Sequence, residues 1–334
     1  MKTYQKLRLW TIVVWLLLAG CGQAVSPQAT PEPPPPQPSP TPVLTATTPQ
    51  QENPSDEWCR KIAFALASET VTDIFSICPD GSRMTKLTDS TSMDTMPAWS
   101  PDGKRIAFAS NRTGSSQIFI MDANGNNPIQ ITFDGQNDFP IWLPDSRQIA
   151  FRTSDGQGLW WWRIVDIESQ RMTQFSQPSY DFFFQTPAWS PDGKKIAYMS
   201  LLEQQQRNDG SSQIHVKNVD GTNDTALTHD TWANIHPVWS PDGSQIAFLS
   251  ERDGTYNLFA LYVMSSNGQN IRKLSDAVFS ESATLSWSPD GREIAIDSDA
   301  STGKIFIVDV STANQRELLS MKAGERASRP SWQP

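Results

Sequence analysis

The sequence is poor in the residue types on which most catalytic and metal sites depend. Its 334 residues include only three histidines and three cysteines. No Gly-x-Ser-x-Gly motif occurs, which excludes the nucleophile elbow of an α/β-hydrolase domain. No glycine-rich phosphate-binding loop is present either. The sequence therefore offers no catalytic constellation and predicts neither an enzymatic activity nor a cofactor.

Positive charge is also scarce. Twenty-seven Lys and Arg residues stand against 36 Asp and Glu residues, so the formal net charge is −9. Three of the positive charges, Lys2, Lys6 and Arg8, lie before residue 20, where no acidic residue occurs. Removing residues 1–20 therefore takes the net charge from −9 to −12. A surface this acidic argues against nucleic acid and against anionic lipid as partners.

A short apolar run, residues 9–19, follows these basic residues. It is too short for a membrane span and has the layout of a signal peptide. The run ends in Leu18-Ala19-Gly20-Cys21, which resembles the lipobox of bacterial lipoproteins, where cleavage precedes a cysteine that is then acylated. The sequence thus predicts a signal peptide over residues 1–20 and a lipid anchor on Cys21. A plain secretory signal or an N-terminal anchor helix is the alternative, and in each case the rest of the chain is exported to the periplasmic or extracellular face of a bacterial membrane.

Proline dominates the next segment, residues 21–57. Residues 31–42 read Pro-Glu-Pro-Pro-Pro-Pro-Gln-Pro-Ser-Pro-Thr-Pro and carry no apolar face that would offset the entropy of ordering. Such a segment favours extended polyproline II at about 3.1 Å per residue, which makes it a spacer of up to ~100 Å. A proline-rich ligand for a partner is the alternative.

An internal repeat fills the remainder, residues 58–334. Trp-Ser-Pro-Asp-Gly occurs at 99–103, 189–193, 239–243 and 287–291, with a degenerate copy at 142–146 and spacings of 43 to 50 residues. Each copy precedes an Ile-Ala-Phe-like segment, a second apolar segment and a short fourth one. We name these predicted strands A to D; four short strands per period are typical of WD40-like propeller blades. The repeat residues expected to have structural roles are Trp99, Asp102, Gly103, Trp142, Trp189, Asp192, Gly193, Trp239, Asp242, Gly243, Trp287, Asp290, Gly291 and Trp332.

The number of B strands predicts how the ring closes. A sixth copy, Lys61-Ile-Ala-Phe64, comes before the first Trp-Ser-Pro-Asp-Gly and has no A strand of its own. The C-terminal Arg329-Pro-Ser-Trp332 resembles Met96-Pro-Ala-Trp99 and supplies the missing strand. The prediction is an all-β, six-bladed propeller of four-stranded antiparallel blades, closed by the C-terminal strand pairing into the first blade.

These motifs resemble the TolB-like β-propeller repeat family. The resemblance covers residues 61–334 and rests on six recurrences of the repeat. It implies the propeller fold and a protein-binding habit. TolB itself carries an α/β domain before its propeller, and here the proline-rich tether occupies that place.

The two faces of the predicted propeller differ. The A–B and C–D turns, which are short and similar, lie on one face (the turn face); the B–C and D–A loops, which vary in length, lie on the other (the loop face). Variable loops are where function usually resides, so we expect an envelope protein or peptide to bind a monomeric propeller there. The alternative is that the polar residues only cap strand ends. The candidate binding residues are Asp94, Asn137, Asp138, Tyr180, Asp181, Phe182, Gln185, Asn234 and His236.

The competing functional hypothesis is a propeller enzyme, a lyase or a lactonase, with a metal at the axis. His215, His229 and His236 all fall near the loop face, and clustered histidines bind metals. However, they belong to strands C, D and A, which lie at different radii. That spread separates the three imidazoles, and the sequence predicts no metal site.

Cys59 and Cys78 are the two cysteines of the mature chain other than Cys21. They flank a predicted hairpin whose turn lies near Ser68 and Glu69, and both are equally far from that turn. Antiparallel pairing brings facing Cα atoms within disulfide range. We predict a disulfide that closes a loop of about 20 residues and contributes on the order of 3 kcal/mol. Two free thiols, or a shifted register, is the alternative.

Overall fold

The computed structural model describes residues 59–176, 186–200, 211–253, 258–298 and 302–334. The signal peptide, Cys21 and the proline-rich segment lie outside these residues. In the described part of the chain the regular structure is entirely β, and no helix there is long and apolar enough to cross a membrane.

Within the described residues, twenty-four strands form six four-stranded antiparallel sheets, which are the six blades. The fold is therefore a six-bladed β-propeller, as predicted. Blade 1 combines β24 with β1 to β3, and blades 2 to 6 take four consecutive strands each. In chain order the strands are β1 (Ile62–Ala67), β2 (Thr72–Ile77), β3 (Thr85–Lys86), β4 (Asp94–Trp99), β5 (Arg105–Thr113), β6 (Ser115–Asp122), β7 (Ile129–Gln130), β8 (Gln136–Trp142), β9 (Gln148–Ser154), β10 (Trp160–Asp166), β11 (Met172–Gln174), β12 (Ala188–Trp189), β13 (Lys195–Ser200), β14 (Gln213–Asn218), β15 (Thr225–Ala226), β16 (Asn234–Trp239), β17 (Gln245–Ser250), β18 (Ala260–Ser265), β19 (Arg272–Lys273), β20 (Leu285–Trp287), β21 (Glu293–Asp297), β22 (Ile305–Asp309), β23 (Gln315–Glu317) and β24 (Arg326–Trp332).

The C-terminal strand closes the ring, which confirms the predicted topology. β24 pairs antiparallel with β1, with Ile62 opposite Trp332. The backbone N–H of Gln333 donates to the carbonyl of Lys61 at 2.8 Å and extends the pairing by one residue. Closure leaves the first blade without an unpaired inner edge, which protects it from pairing with another chain.

The Ser-Pro-Asp-Gly turns are held by their own side chains. In the first copy the hydroxyl of Ser100 donates to the Asp102 carboxylate at 2.6 Å, and Gly103 has φ 68°. Glycine adopts this conformation without steric cost, so the chain reverses tightly between strands A and B. The same serine–aspartate bond occurs in the copies that begin at Ser190, Ser240 and Ser288.

The repeat tryptophans lie between neighbouring blades. The indole N–H of Trp142 donates to the carbonyl of Ala98 in the preceding blade at 3.0 Å. The same bond joins Trp239 to Ala188, and Trp287 to Val238. Each of these indoles therefore buries a large apolar surface and satisfies its one polar group at the same time.

Cys59 and Cys78 lie together as a disulfide-capable pair, with Cα atoms 5.8 Å apart. The register that led to this prediction was nevertheless wrong. Ala67 faces Thr72, so the hairpin turn spans residues 68–71 and its centre is shifted from the one expected. Cys59 lies before the start of β1, outside the ladder, which allows the chain to reach Cys78 despite the shift.

Candidate functional site

A channel of about 690 Å³ runs along the propeller axis. Strand A of each blade lines it: β4, β8, β12, β16, β20 and β24. These strands form the inner edge of their sheets, and most of the lining residues are proline, tryptophan and aliphatic side chains. An open, mostly apolar concavity with a few polar groups is the usual form of a binding site.

The loop-face end of the channel is a ring of six residues, one at or just before strand A of each blade. Strand A of five blades reads x-Pro-x-Trp, and the residue before the proline lines the channel. The sixth blade has leucine in place of the proline. The ring residues, which we call the loop mouth, are Met96, Phe139, Thr186, His236, Thr284 and Arg329.

Four loop-mouth residues have an unusual backbone. Met96, Phe139, His236 and Arg329 have φ values of 55°, 50°, 51° and 59°. The register of the A–B ladder shifts across each of these positions, so each is a β-bulge. Bulky residues rarely adopt positive φ, and such strain tends to cluster at functional sites.

The opposite end of the channel is uniform. The proline of each turn lies there: Pro101, Pro144, Pro191, Pro241 and Pro289, with Pro334 in the corresponding place in blade 1. We call this ring the turn mouth. The turn mouth presents the same apolar proline ring six times. It therefore offers a partner no chemical pattern to recognise.

His236 is a neutral hydrogen-bonding group that joins three blades. Its Nε2 lies 2.7 Å from the carbonyl of Glu281, which can only accept, so Nε2 carries the proton. Its Nδ1 then accepts from the hydroxyl of Thr186 at 3.0 Å. Burial lowers the pKa of His236 to about 4, and the positive charge of Arg329 acts in the same direction.

An aromatic and charged cluster lies beside His236. The guanidinium of Arg152 is 4.4 Å from the Phe139 ring centre and forms two hydrogen bonds to Asp138, at 2.7 and 2.6 Å. The guanidinium of Arg329 is 4.5 Å from the same ring centre. The backbone N–H of Arg329 donates to the carboxylate of Asp297 at 2.9 Å. Phe139 therefore holds two cations at the loop mouth through cation–π contacts.

Comparison with known proteins decides the family. The family model described as the TolB beta propeller domain matches residues 56–182 and 164–334. The chain belongs to this family. A protein described as a TolB homolog from Chlorobium luteolum is 42% identical over 62 residues, which are 19% of this chain and 14% of that protein. The match thus covers only a small part of this curated relative's length.

Solved structures share the fold of this TolB-like propeller. TolB from Acinetobacter baumannii superposes with a TM-score of 0.70 at 22% identity, over 82% of this chain and 67% of that one. The hydrazine synthase of Kuenenia stuttgartiensis superposes with a TM-score of 0.63 at 14% identity, over 82% of this chain and 46% of that one. The fold therefore occurs both in TolB and within an enzyme, and does not by itself decide between binding and catalysis.

Three of the predicted binding residues of the TolB-like propeller are completely buried: Asp94, Asn137 and Asn234. Each lies two residues before a loop-mouth residue. Asp94 pairs with Arg112 at 2.9 Å, Asn137 donates to Gln117 at 2.8 Å, and Asn234 donates to Asp230 at 2.9 Å. They tie the loops to the blades, so the prediction that their side chains face a partner needs correction.

The other predicted binding residues fall into two groups. Asp138 and His236 belong to the cluster at the loop mouth. Tyr180, Asp181, Phe182 and Gln185 lie outside the described residues. The sequence interpretation missed Met96, Phe139, Thr186 and Arg329, although the x-Pro-x-Trp pattern placed all of them at one position of the repeat.

The three histidines have separate surroundings in the TolB-like propeller. The Nδ1 of His215 lies 3.1 Å from Asp224, and its ring packs against Tyr198. His229 is exposed, and His236 lines the channel. Among the described residues, no group of three or more His, Cys, Asp or Glu side chains is arranged to hold a metal ion.

Proposed function

We propose that this protein is a lipid-anchored envelope protein whose propeller binds another exported protein or peptide on its loop face, at the loop mouth of the channel. The observation that carries the proposal is the loop mouth itself. It combines six residues of five types, four of them with strained backbones, above an open apolar channel. Strain of this kind has a cost, and a recognition role accounts for it.

Exposed apolar side chains on the same face support the proposal. Met93, Phe133, Trp232 and Val278 are 55%, 65%, 38% and 56% exposed, and all four lie in D–A loops. Large apolar groups on the surface are favourable anchors in protein interfaces. Their position around the loop mouth gives a partner apolar contacts outside the channel as well as polar contacts at its rim.

A comparison of the two faces tests the proposed binding face. The mature protein is cross-linked in its own envelope, and the partner is mapped by mass spectrometry. Phe133→Ser with Trp232→Ser should abolish cross-linking because both side chains are exposed on the loop face. The matched controls Met84→Ser and Val219→Ser change apolar residues that are 42% and 44% exposed in C–D turns on the turn face. Loss of the partner in the controls alone would contradict the proposal.

The proposed anchor rests on Leu18-Ala19-Gly20-Cys21. Cys21→Ser removes the thiol that would be acylated, so the exported protein should leave the membrane fraction. A singly acylated chain binds membranes weakly and a multiply acylated one stably. Equal amounts of wild type and variant in washed membranes would rule out this anchor. That result would leave the test of the binding face by cross-linking unaffected.

A further inference from the structure

The guanidinium of Arg329 is positively charged, and its N–H donors have no acceptor among the described residues. It is partly buried at the loop mouth and lines the channel. Within the described residues, its guanidinium contacts the Phe139 ring but has no side-chain or carbonyl acceptor; only its backbone N–H is bonded, to Asp297. A guanidinium has five N–H donors, and leaving them unpaired in a partly desolvated place is costly.

The acidic groups around Arg329 are already committed elsewhere. Both oxygens of Asp138 are bonded by Arg152. One oxygen of Asp297 accepts from the backbone N–H and the hydroxyl of Thr284, and the other accepts from the backbone of Arg329. Burial raises the pKa of Asp297, and the positive charge of Arg329 opposes that rise. The neighbouring His236 cannot compensate the guanidinium, because imidazole is either neutral or positively charged, and the two groups repel when both are protonated.

The groups around Arg329 indicate which kind of anion its guanidinium would bind. A planar guanidinium held on an aromatic ring suits a carboxylate, which it can bind through two parallel hydrogen bonds. The channel beyond it is lined by proline and tryptophan and suits apolar side chains. A protein of net charge −9 repels polyanions such as nucleic acid, whereas one local cation accommodates one carboxylate.

We propose that Arg329 is a carboxylate-binding residue, and that the loop mouth takes a segment of a partner protein in which an acidic group is flanked by apolar side chains. The inference rests on the proposed function, since it names the chemistry of the ligand at the same site. Phe139 positions the guanidinium of Arg329. Arg152 lies on β9, its charge is neutralised by Asp138, and it keeps the Phe139 ring in place.

The probe is a random octapeptide library displayed with free and with amidated C-termini, selected against the wild-type protein. Peptides that bind should be enriched in Asp or Glu, or should require the free C-terminus, and these two arms identify the source of the carboxylate. Each binder is then compared with its isostere, Asp→Asn, Glu→Gln or the C-terminal amide. Affinity should fall on the order of tenfold for wild type.

The same peptide pair is measured on Arg329→Gln and on Arg292→Gln. Arg292 has a side chain that is 83% exposed and belongs to a turn on the opposite face, so it is the matched control. Arg329→Gln should bind acid and isostere equally, whereas Arg292→Gln should keep the tenfold difference. Unchanged melting temperatures show that both variants are folded.

Four outcomes would overturn the proposal. Binders without an acidic group would contradict the carboxylate site and leave the proposed function standing. Equal discrimination by Arg329→Gln and wild type would assign the carboxylate to another residue. Displacement of the peptides by inorganic phosphate at similar concentration would indicate a general anion site. Absence of any binder to wild type would count against both this inference and the proposed function.

Discussion

The two ends of the axial channel are built from the same six strands but differ in chemistry. At the turn mouth every blade contributes a proline, and the preceding tryptophan packs between blades. At the loop mouth the six positions hold methionine, phenylalanine, histidine, arginine and two threonines. The turn mouth repeats one packing arrangement in every blade, whereas the loop mouth carries varied side chains on the same strands. This division suggests that the turn end determines stability and the loop end determines recognition.

The largest expected effect is at the turn end, at the strand that closes the ring. Trp332→Ala should lower the free energy of unfolding by about 3–5 kcal/mol because a buried indole leaves a cavity. Trp232→Ala, on the loop face, should lower it by roughly 0.5 kcal/mol or less. Urea unfolding of both variants measures the difference. Similar losses in the two variants would contradict closure by β24 as a major source of stability.

The disulfide between Cys59 and Cys78 is expected to stabilise the turn end as well, because Cys78 leads into a C–D turn. With Cys21 changed to serine, Cys59→Ser should lower stability by about 3 kcal/mol, because the cross-link restricts the unfolded chain. Intact mass after alkylation, with and without reductant, counts the free thiols in the parent protein. Two alkylated thiols without reductant would show that the exported protein does not form the bond.

The loop mouth should make stability depend on pH through His236. Its pKa is about 4 in the folded protein and about 6.5 when unfolded, so the unfolded state binds the proton more readily. Its contribution is therefore complete above pH 6.5 and is lost as pH falls towards 4, by at most about 1.4 kcal/mol per pH unit.

A pair of histidine variants isolates this contribution. His236→Gln should flatten the fall in stability between pH 6.5 and 4, whereas the exposed His229→Gln should leave it as in wild type. Unfolding curves at pH 7.5, 6 and 5 measure the slopes. Equal slopes for the two variants would show that His236 is not buried in its neutral form.

The smallest effect concerns the strained backbone. Met96→Ile places a β-branched residue at φ 55° and should cost about 1–2 kcal/mol. Met93→Ile makes the same change three residues earlier, at an exposed position outside the positive-φ residues, and should be nearly neutral. Thermal melts compare the two. Equal melting temperatures would mean that the loop mouth stores no strain.

The predicted strand order, the six blades and the closing strand all followed from local patterns. Ser-Pro-Asp-Gly specifies a turn through its own side chains, and Arg329-Pro-Ser-Trp332 could be matched to Met96-Pro-Ala-Trp99 by inspection. The candidate site was harder to predict. Polar residues just before strand A on the loop face, such as Asp94 and Asn137, were the predicted binding residues, and the structure places them in the interior.

The reason lies in the bulges. In four blades the x-Pro pair opposes a single residue of strand B. This extra residue shifts the alternation, so the side chains of Met96, Phe139 and His236, two positions beyond the buried polar residues, line the channel. By itself the sequence determined the number of blades, the short turns and the closure, because these depend on neighbouring residues. Only the tertiary structure decided which side chains meet at the axis, because those contacts join residues from different blades. It also decided that, in the part of the chain that the structure describes, the guanidinium of Arg329 lies there without an acceptor.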